Sequence, residues 1–192
     1  MISAIKSNII YNDAIKDNSV EDVDFSVADR AQILVELRKS SLGNNYVVDD
    51  KTLDMSSLPE SNFDFDYTNK IEYSGVVVNL RIPSLARDTA ISKKLLSEFK
   101  RLSEGKKDVE AVNLMITYEI IKFISSVEVA GNSITFDDYN LYESKQIVNT
   151  LPLKINNSVV DFIDKFKQQE SANLTFDDDT FIEIDAGFLS ND

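Results

Sequence analysis

Apolar residues recur every three or four positions in some stretches of this chain and every second position in others, and the changes of period mark out an order of elements. Residues 1–24 follow neither rule. Isoleucines are scattered among polar residues and the stretch ends in Glu21-Asp22-Val23-Asp24, which predicts a mobile amino-terminal arm. Behind Ser26, a good helix cap, Val27, Ala31, Leu34 and Leu37 keep helical spacing, with Asp29 three residues past the cap and Gly43 just beyond the end. From Asn45 to Pro83 the period falls to two and β-branched and aromatic residues accumulate: Tyr46-Val47-Val48, then Phe63, Phe65 and Tyr67, then Ile71 to Tyr73 and Val76 to Ile82. Ser74-Gly75 between the last two runs predicts an antiparallel hairpin, and Pro83 stops its second strand.

Helical spacing returns at Ile91, Leu95, Phe99 and Leu102 and stops at Gly105-Lys106-Lys107. A second helix follows at once, with the strongest periodicity of the chain at Val109, Val112, Ile116, Ile120, Phe123 and Val127; the short link predicts that the two lie antiparallel. Val127 to Phe136, around Gly131-Asn132, reads as another hairpin. Asp137 and Asp138 are candidate caps for a helix that Pro152 ends, and Asn157 or Ser158 for one carrying Val159, Phe162, Ile163 and Phe166. Phe181 to Asp185 returns to strand spacing, followed by Gly187-Phe188-Leu189. No fixed-period repeat is present. The pattern predicts an α+β fold in which antiparallel β-hairpins and a C-terminal strand pack against a helical middle of about four helices. The expected division is an arm over 1–24 and a single α+β domain over 25–192, with a helix and hairpin part (25–83), a helical part (84–170) and a C-terminal strand and apolar tail (171–192).

Composition narrows the chemistry. At 192 residues, 43% hydrophobic and 28% charged, the chain is globular and long enough for a stable core. Lys and Arg number 20 against 33 Asp and Glu, a formal net charge of −13, so nucleic acid and anionic membrane are disfavoured as partners. Histidine, cysteine and tryptophan are all missing, which removes zinc enzymes, Cys-His and Ser-His-Asp hydrolases and thioredoxin-like redox proteins. The start lacks a signal-peptide pattern. The most apolar stretch, Leu114 to Ile124, is broken by Glu119 and Lys122 and falls short of the roughly 20 residues of a membrane span, so a soluble protein is expected.

Candidate constellations reduce to ordinary structure. The five glycines stand too far apart for a dinucleotide-binding or phosphate loop, and Gly105-Lys106 reads as a helix stop. Ser3/Lys6 and Ser103/Lys106 have the spacing of a serine nucleophile with a lysine base but none of the accompanying motifs. Asp177-Asp178-Asp179 lacks the alternation and the glycine of a calcium loop and reads as a solvated turn, while Asp64 and Asp66 alternate with aromatics as the outer face of a strand. No catalytic residue, metal ligand or cofactor site is expected. The apolar segment Phe181, Ile182, Ile184, Phe188 and Leu189 has two readings: it closes a sheet edge of its own domain, or it docks on another chain. On the second, the partner-binding residues are Phe181, Ile184, Phe188 and Leu189.

Three segments carry a family resemblance: Asp29-Arg30-Ala31-Gln32-Ile33-Leu34-Val35-Glu36-Leu37-Arg38 with Ser40-Ser41-Leu42-Gly43-Asn44-Asn45-Tyr46, then Asp54-Met55-Ser56-Ser57-Leu58, then Gly75 to Pro83. In this order they resemble the baseplate hub assembly proteins of T-even-type tailed phages, over about residues 25–189. Many members of that family carry CxxC pairs resembling zinc knuckles, whereas Val47 to Thr52 and Phe176 to Thr180 hold no cysteine here. The resemblance implies a protein that builds the central hub of a phage baseplate inside the infected bacterial cell, by chaperoning hub subunits or by entering the hub. Its expected partners are hub or tail proteins, with self-association open, and its expected place is the host cytoplasm or the virion tail. The rival readings are a permanent virion subunit, an acidic DNA mimic, against which Lys93-Lys94, Lys100-Arg101 and Lys106-Lys107 argue, and an enzyme using carboxylates alone.

Overall fold

The computed structural model describes residues 2–18, 25–48, 51–58, 69–102, 107–137, 141–172, 174–177, 180–182, 184 and 188–189. Among them the chain runs α1 (Ile2–Asn18), α2 (Arg30–Leu42), β1 (Asn45–Val48), β2 (Lys51–Asp54), a 3₁₀ turn (Met55–Ser57), β3 (Lys70–Tyr73) and β4 (Val76–Leu80). It continues through α3 (Leu85–Phe99), α4 (Lys107–Phe123), β5 (Ile124–Val129), β6 (Asn132–Thr135), α5 (Leu141–Thr150), α6 (Leu153–Ala172), β7 (Thr175–Asp177) and β8 (Thr180–Phe181). This is an α+β fold. Phe63 to Tyr67, Ser103 to Lys106, Asp138 and Asp178-Asp179 lie outside the described residues.

Both predicted hairpins form, and they join. Ser74 (φ 52°) and Gly75 (φ 77°) turn β3 into β4, and Ala130 (φ 51°) and Gly131 (φ 81°) turn β5 into β6. Paired left-handed residues are what a two-residue turn needs to match the strand twist. The central strands β4 and β5 then pair antiparallel, giving the order β3-β4-β5-β6. Ile71, Val78, Val127 and Ile134 stand in one cross-strand row, and Val78 and Val127 are buried. The other face presents Glu72, Asn79, Ser126, Glu128 and Ser133, where the Asn79 amide donates to Ser126 Oγ and Glu128 Oε1, each at 2.9 Å. The apolar face shares one core with Ile155, Val159, Phe162, Ile163 and Phe166 of α6; the Phe123 ring meets Phe166 edge-on at 5.5 Å. The C-terminal strands stay out of this sheet and pair with each other as β7–β8.

The structure corrects several expectations. Residues 2–18 form a helix, not a mobile arm, and its Tyr11, Asn12 and Ile15 are buried where it packs along α3. Little in the local sequence signals this, because the apolar residues of α1 are spread around the helix and it is held by what it packs on. Residues 19–24 of the expected arm lie outside the described residues. On α4 the expected stripe is only partly inward. The buried apolar positions are Leu114, Tyr118, Ile120, Ile121 and Phe123, while Val109 (73% exposed), Val112 and Ile116 face outward, and β5 begins at Ile124, so Val127 is a strand residue. The Asp137 carboxylate binds two arginines, and residues 138–140, at the entry to α5, lie outside the described residues; α6 starts at Leu153, with Pro152 O accepting from the amides of Ile155 (2.9 Å) and Asn156 (3.1 Å), so Asn157 and Ser158 are interior. Pro152 thus opens a helix as well as closing one, as a residue with no N–H to lose can.

Candidate functional site

Residues 25–27 and 83–85 run side by side. Ser26 and Ser84 form an antiparallel bridge, the Val27 amide donates to Pro83 O (2.9 Å) and the Leu85 amide to Phe25 O (2.8 Å). Ser84 then caps α3 by accepting from the Arg87 amide, and the Asp29 carboxylate accepts from the Ser26 amide and hydroxyl at the entry to α2. Four residues past the bridged serines stand Arg30, the first residue of α2, and Asp88, in the first turn of α3. The bridge therefore brings the two together, and Arg30 Nη1 lies 3.1 Å from Asp88 Oδ2.

A network grows from this pair across five helices. Asn12 of α1 donates to Asp88 Oδ2 (2.8 Å) and Thr89 Oγ1 (3.0 Å) and accepts from Arg30 (3.2 Å). Lys122 of α4 contacts the other Asp88 oxygen at 2.6 Å and Glu119 at 3.2 Å; Lys167 of α6 meets Glu119 at 2.8 Å, and Arg30 reaches Glu170 at 3.7 Å. Three cations thus face three carboxylates. Burial alone would raise Asp88, but Lys122, then Arg30, hold its pKa below the ordinary value; Glu119 is likewise lowered against its burial by Lys122 and Lys167. Burial alone would lower Lys122, yet Glu119 and Asp88 hold it above its ordinary value. Glu170 goes the other way: burial dominates and raises its pKa, with Arg30 and Lys167 opposing. Asp88 and Glu119 stay ionised and counterbalanced, which makes neither a proton donor.

These groups form the polar floor of a cleft of about 650 Å³, a size that accepts a ligand or a partner's side chains. Its walls are apolar: Tyr11, Leu34, Leu95, Met115, Ile116, Phe166, Leu174, Phe181 and Ile184 among others. At the rim the cleft continues into the outward stripe of α4, Ile116, Val112 and Val109, three exposed apolar residues at helical spacing. Beside the cleft, Arg87 donates to the carbonyls of Ile121 (2.8 Å) and Lys122 (3.1 Å), closing the C-terminal end of α4, and shares Asp137 with Arg81. Burial, then the charge of Arg81, lowers the Arg87 pKa to about 10.

Of the four residues predicted to bind a partner, two meet here. Phe181 (45% exposed) and half-buried Ile184 line the cleft. Phe188 is corrected: it is 0% exposed, its ring edge-on to Tyr46 at 5.5 Å and its carbonyl accepting from Arg38, whose guanidinium stacks on both rings. Leu189 is half-buried against the same core. The polar floor is absent from the sequence expectations because its members come from five segments. The one local signal was Glu119 and Lys122 interrupting the apolar run of α4. Among the described residues no group of three or more acidic side chains is placed to hold a metal ion, and no helix is long and apolar enough to cross a membrane.

Comparison with known proteins adds one match: the family model described as T4 bacteriophage base plate protein matches residues 1–177. No curated protein and no solved structure matches the chain.

Proposed function

Since the chain belongs to the T4 bacteriophage base plate protein family, we propose that it acts in assembly of the baseplate hub, by binding hub subunits and without turnover. The observation that carries the binding role is the cleft with its apolar rim, lined by Phe181 and Ile184 from the C-terminal segment and by Met115 and Ile116 of α4, the helix that also exposes Val112 and Val109. An apolar surface of this kind on a chain of net charge −13 suits a partner with basic and apolar residues. The hub assignment draws on the segments Asp29 to Tyr46, Asp54 to Leu58 and Gly75 to Pro83. The second of these is a 3₁₀ turn in which the Asp54 carboxylate accepts from the Ser56 amide (2.9 Å) and Met55 is buried.

The test is disruption of the gene followed by electron microscopy of particles and mass spectrometry of purified virions. An assembly factor leaves tails incomplete when missing and is absent from finished virions. Normal tails without the gene refute the reading, and a stoichiometric signal in virions replaces the transient role with that of a permanent hub subunit.

A further inference from the structure

The carboxylates on the cleft floor are not equally compensated. Asp88 has Lys122 at 2.6 Å, Arg30 at 3.1 Å and the Asn12 amide at 2.8 Å; Glu119 has two lysines, at 2.8 and 3.2 Å. Glu170 has Arg30 at 3.7 Å, and that guanidinium is already committed to Asp88 and to Asn12 Oδ1. The surroundings therefore under-serve its charge, in keeping with a pKa raised by burial while those of Asp88 and Glu119 are lowered. A second group in the cleft wall is also incomplete: the Ser92 hydroxyl is buried and has no hydrogen-bond partner among the described residues. A small anion is repelled by Glu170, whereas a cation on a long apolar stem satisfies it, the stem lying along Met115, Ile116, Phe181 and Ile184.

We propose that the cleft receives an arginine or lysine, carried between apolar residues on a segment of a baseplate partner protein, with its cation meeting Glu170 and its neighbours packing on Ile116, Phe181 and Ile184. This rests on the binding role proposed above and names the chemistry of the partner. The overall charge of −13 favours the approach of such a segment, and a rim of exposed apolar side chains holds it once water is expelled.

A library of random twelve-residue peptides selected on the full chain supplies the probe, and calorimetry gives the affinities of the enriched sequences, resynthesised, for three proteins: wild type, Glu170→Gln and the rim variant Ile116→Asp. Melting curves show whether each variant is folded. The expected result is a set of sequences with a basic residue between apolar ones, weakened about tenfold or more by Glu170→Gln, by Ile116→Asp, or by citrulline or acetyl-lysine in place of the basic residue. Combining Glu170→Gln with the neutralised peptide should cost little beyond either change alone. Selected sequences without a basic residue, sequences that bind Glu170→Gln as tightly as wild type, or none weakened by Ile116→Asp overturn the proposal. Infection separates this outcome from failure of the assembly role. If gene disruption leaves tails normal, the assembly reading falls. If it blocks assembly and Glu170→Gln restores full titre, the basic-residue inference falls alone.

Discussion

Lys122→Met tests whether the ionic floor of the cleft holds the helices together. Methionine keeps most of the side chain's volume and removes the cation, which is 8% exposed and sits 2.6 Å from Asp88 and 3.2 Å from Glu119. Asp88 is then left buried with Arg30 and Asn12, and Glu119 with Lys167. Breaking a buried pair by removing one partner costs about 3–5 kcal/mol, because the remaining charge loses its compensation without regaining water. At about 2–4 °C per kcal/mol for a chain of this size, the melting temperature should fall by roughly 6–20 °C. The pH dependence follows from the two shifts. Asp88, lowered from 3.8, contributes stability above that value that is lost as pH falls through its folded pKa; Lys122, raised from 10.5, contributes below that value and is lost as pH rises through its own. The cost of Lys122→Met should therefore be flat from about pH 5 to 9 and shrink in acid, where Asp88 takes up a proton. Urea denaturation of Lys122→Met, Asp88→Asn and the double variant gives the coupling, and the double should cost clearly less than the sum of the singles. A loss under about 1 kcal/mol for Lys122→Met, or strict additivity, refutes the reasoning.

Three further outcomes follow. Glu170→Gln should melt no lower than wild type at pH 7.5. A raised carboxyl pKa makes Glu170 a liability that builds as pH rises above the ordinary 4.5 and is complete above its folded value, so calorimetry should show any gain disappearing as pH falls below 4.5, where both states hold the proton. Phe188→Ala, emptying a site with 0% exposure against Tyr46 and Arg38, should cost about 3–5 kcal/mol in chemical denaturation and alter the near-ultraviolet dichroism of the tyrosines. Arg87→Met should cost about 1–3 kcal/mol, because the carbonyls ending α4 lose a buried donor, while Arg81→Ala, whose partner Asp137 is half exposed, should cost under about 1 kcal/mol by the same measurement.

Local rules carried the parts of the fold that depend on neighbours in the chain. Ser74-Gly75 and Gly131 mark turns because left-handed backbone is needed there whatever surrounds it, and Gly43 (φ 88°) follows α2 for a similar reason, its amide donating to Lys39 O at 3.1 Å. Absence of imidazole and thiol is likewise settled by composition. What the local pattern left open was decided by packing. Periodicity names a face of α4 but not how far along the helix a neighbour covers it, so Ile120 and Phe123 are buried while Val109, Val112 and Ile116 on the same stripe meet solvent. α1 has so even a spread of apolar residues that only its packing on α3 and α2 reveals which side is inward. Phe188 looks like a surface hook in sequence and is core, because Tyr46 and Arg38 reach it from more than 140 residues away. The cleft is the extreme case: Asn12, Arg30, Asp88, Lys167 and Glu170 read singly as solvated polar or charged residues, and with Glu119 and Lys122 they become one network only where the Ser26–Ser84 bridge sets α2 beside α3 and the other helices close around them. Backbone conformation and residue chemistry are local properties, so sequence determines them directly; burial and charge pairing are set by whatever the rest of the chain brings alongside.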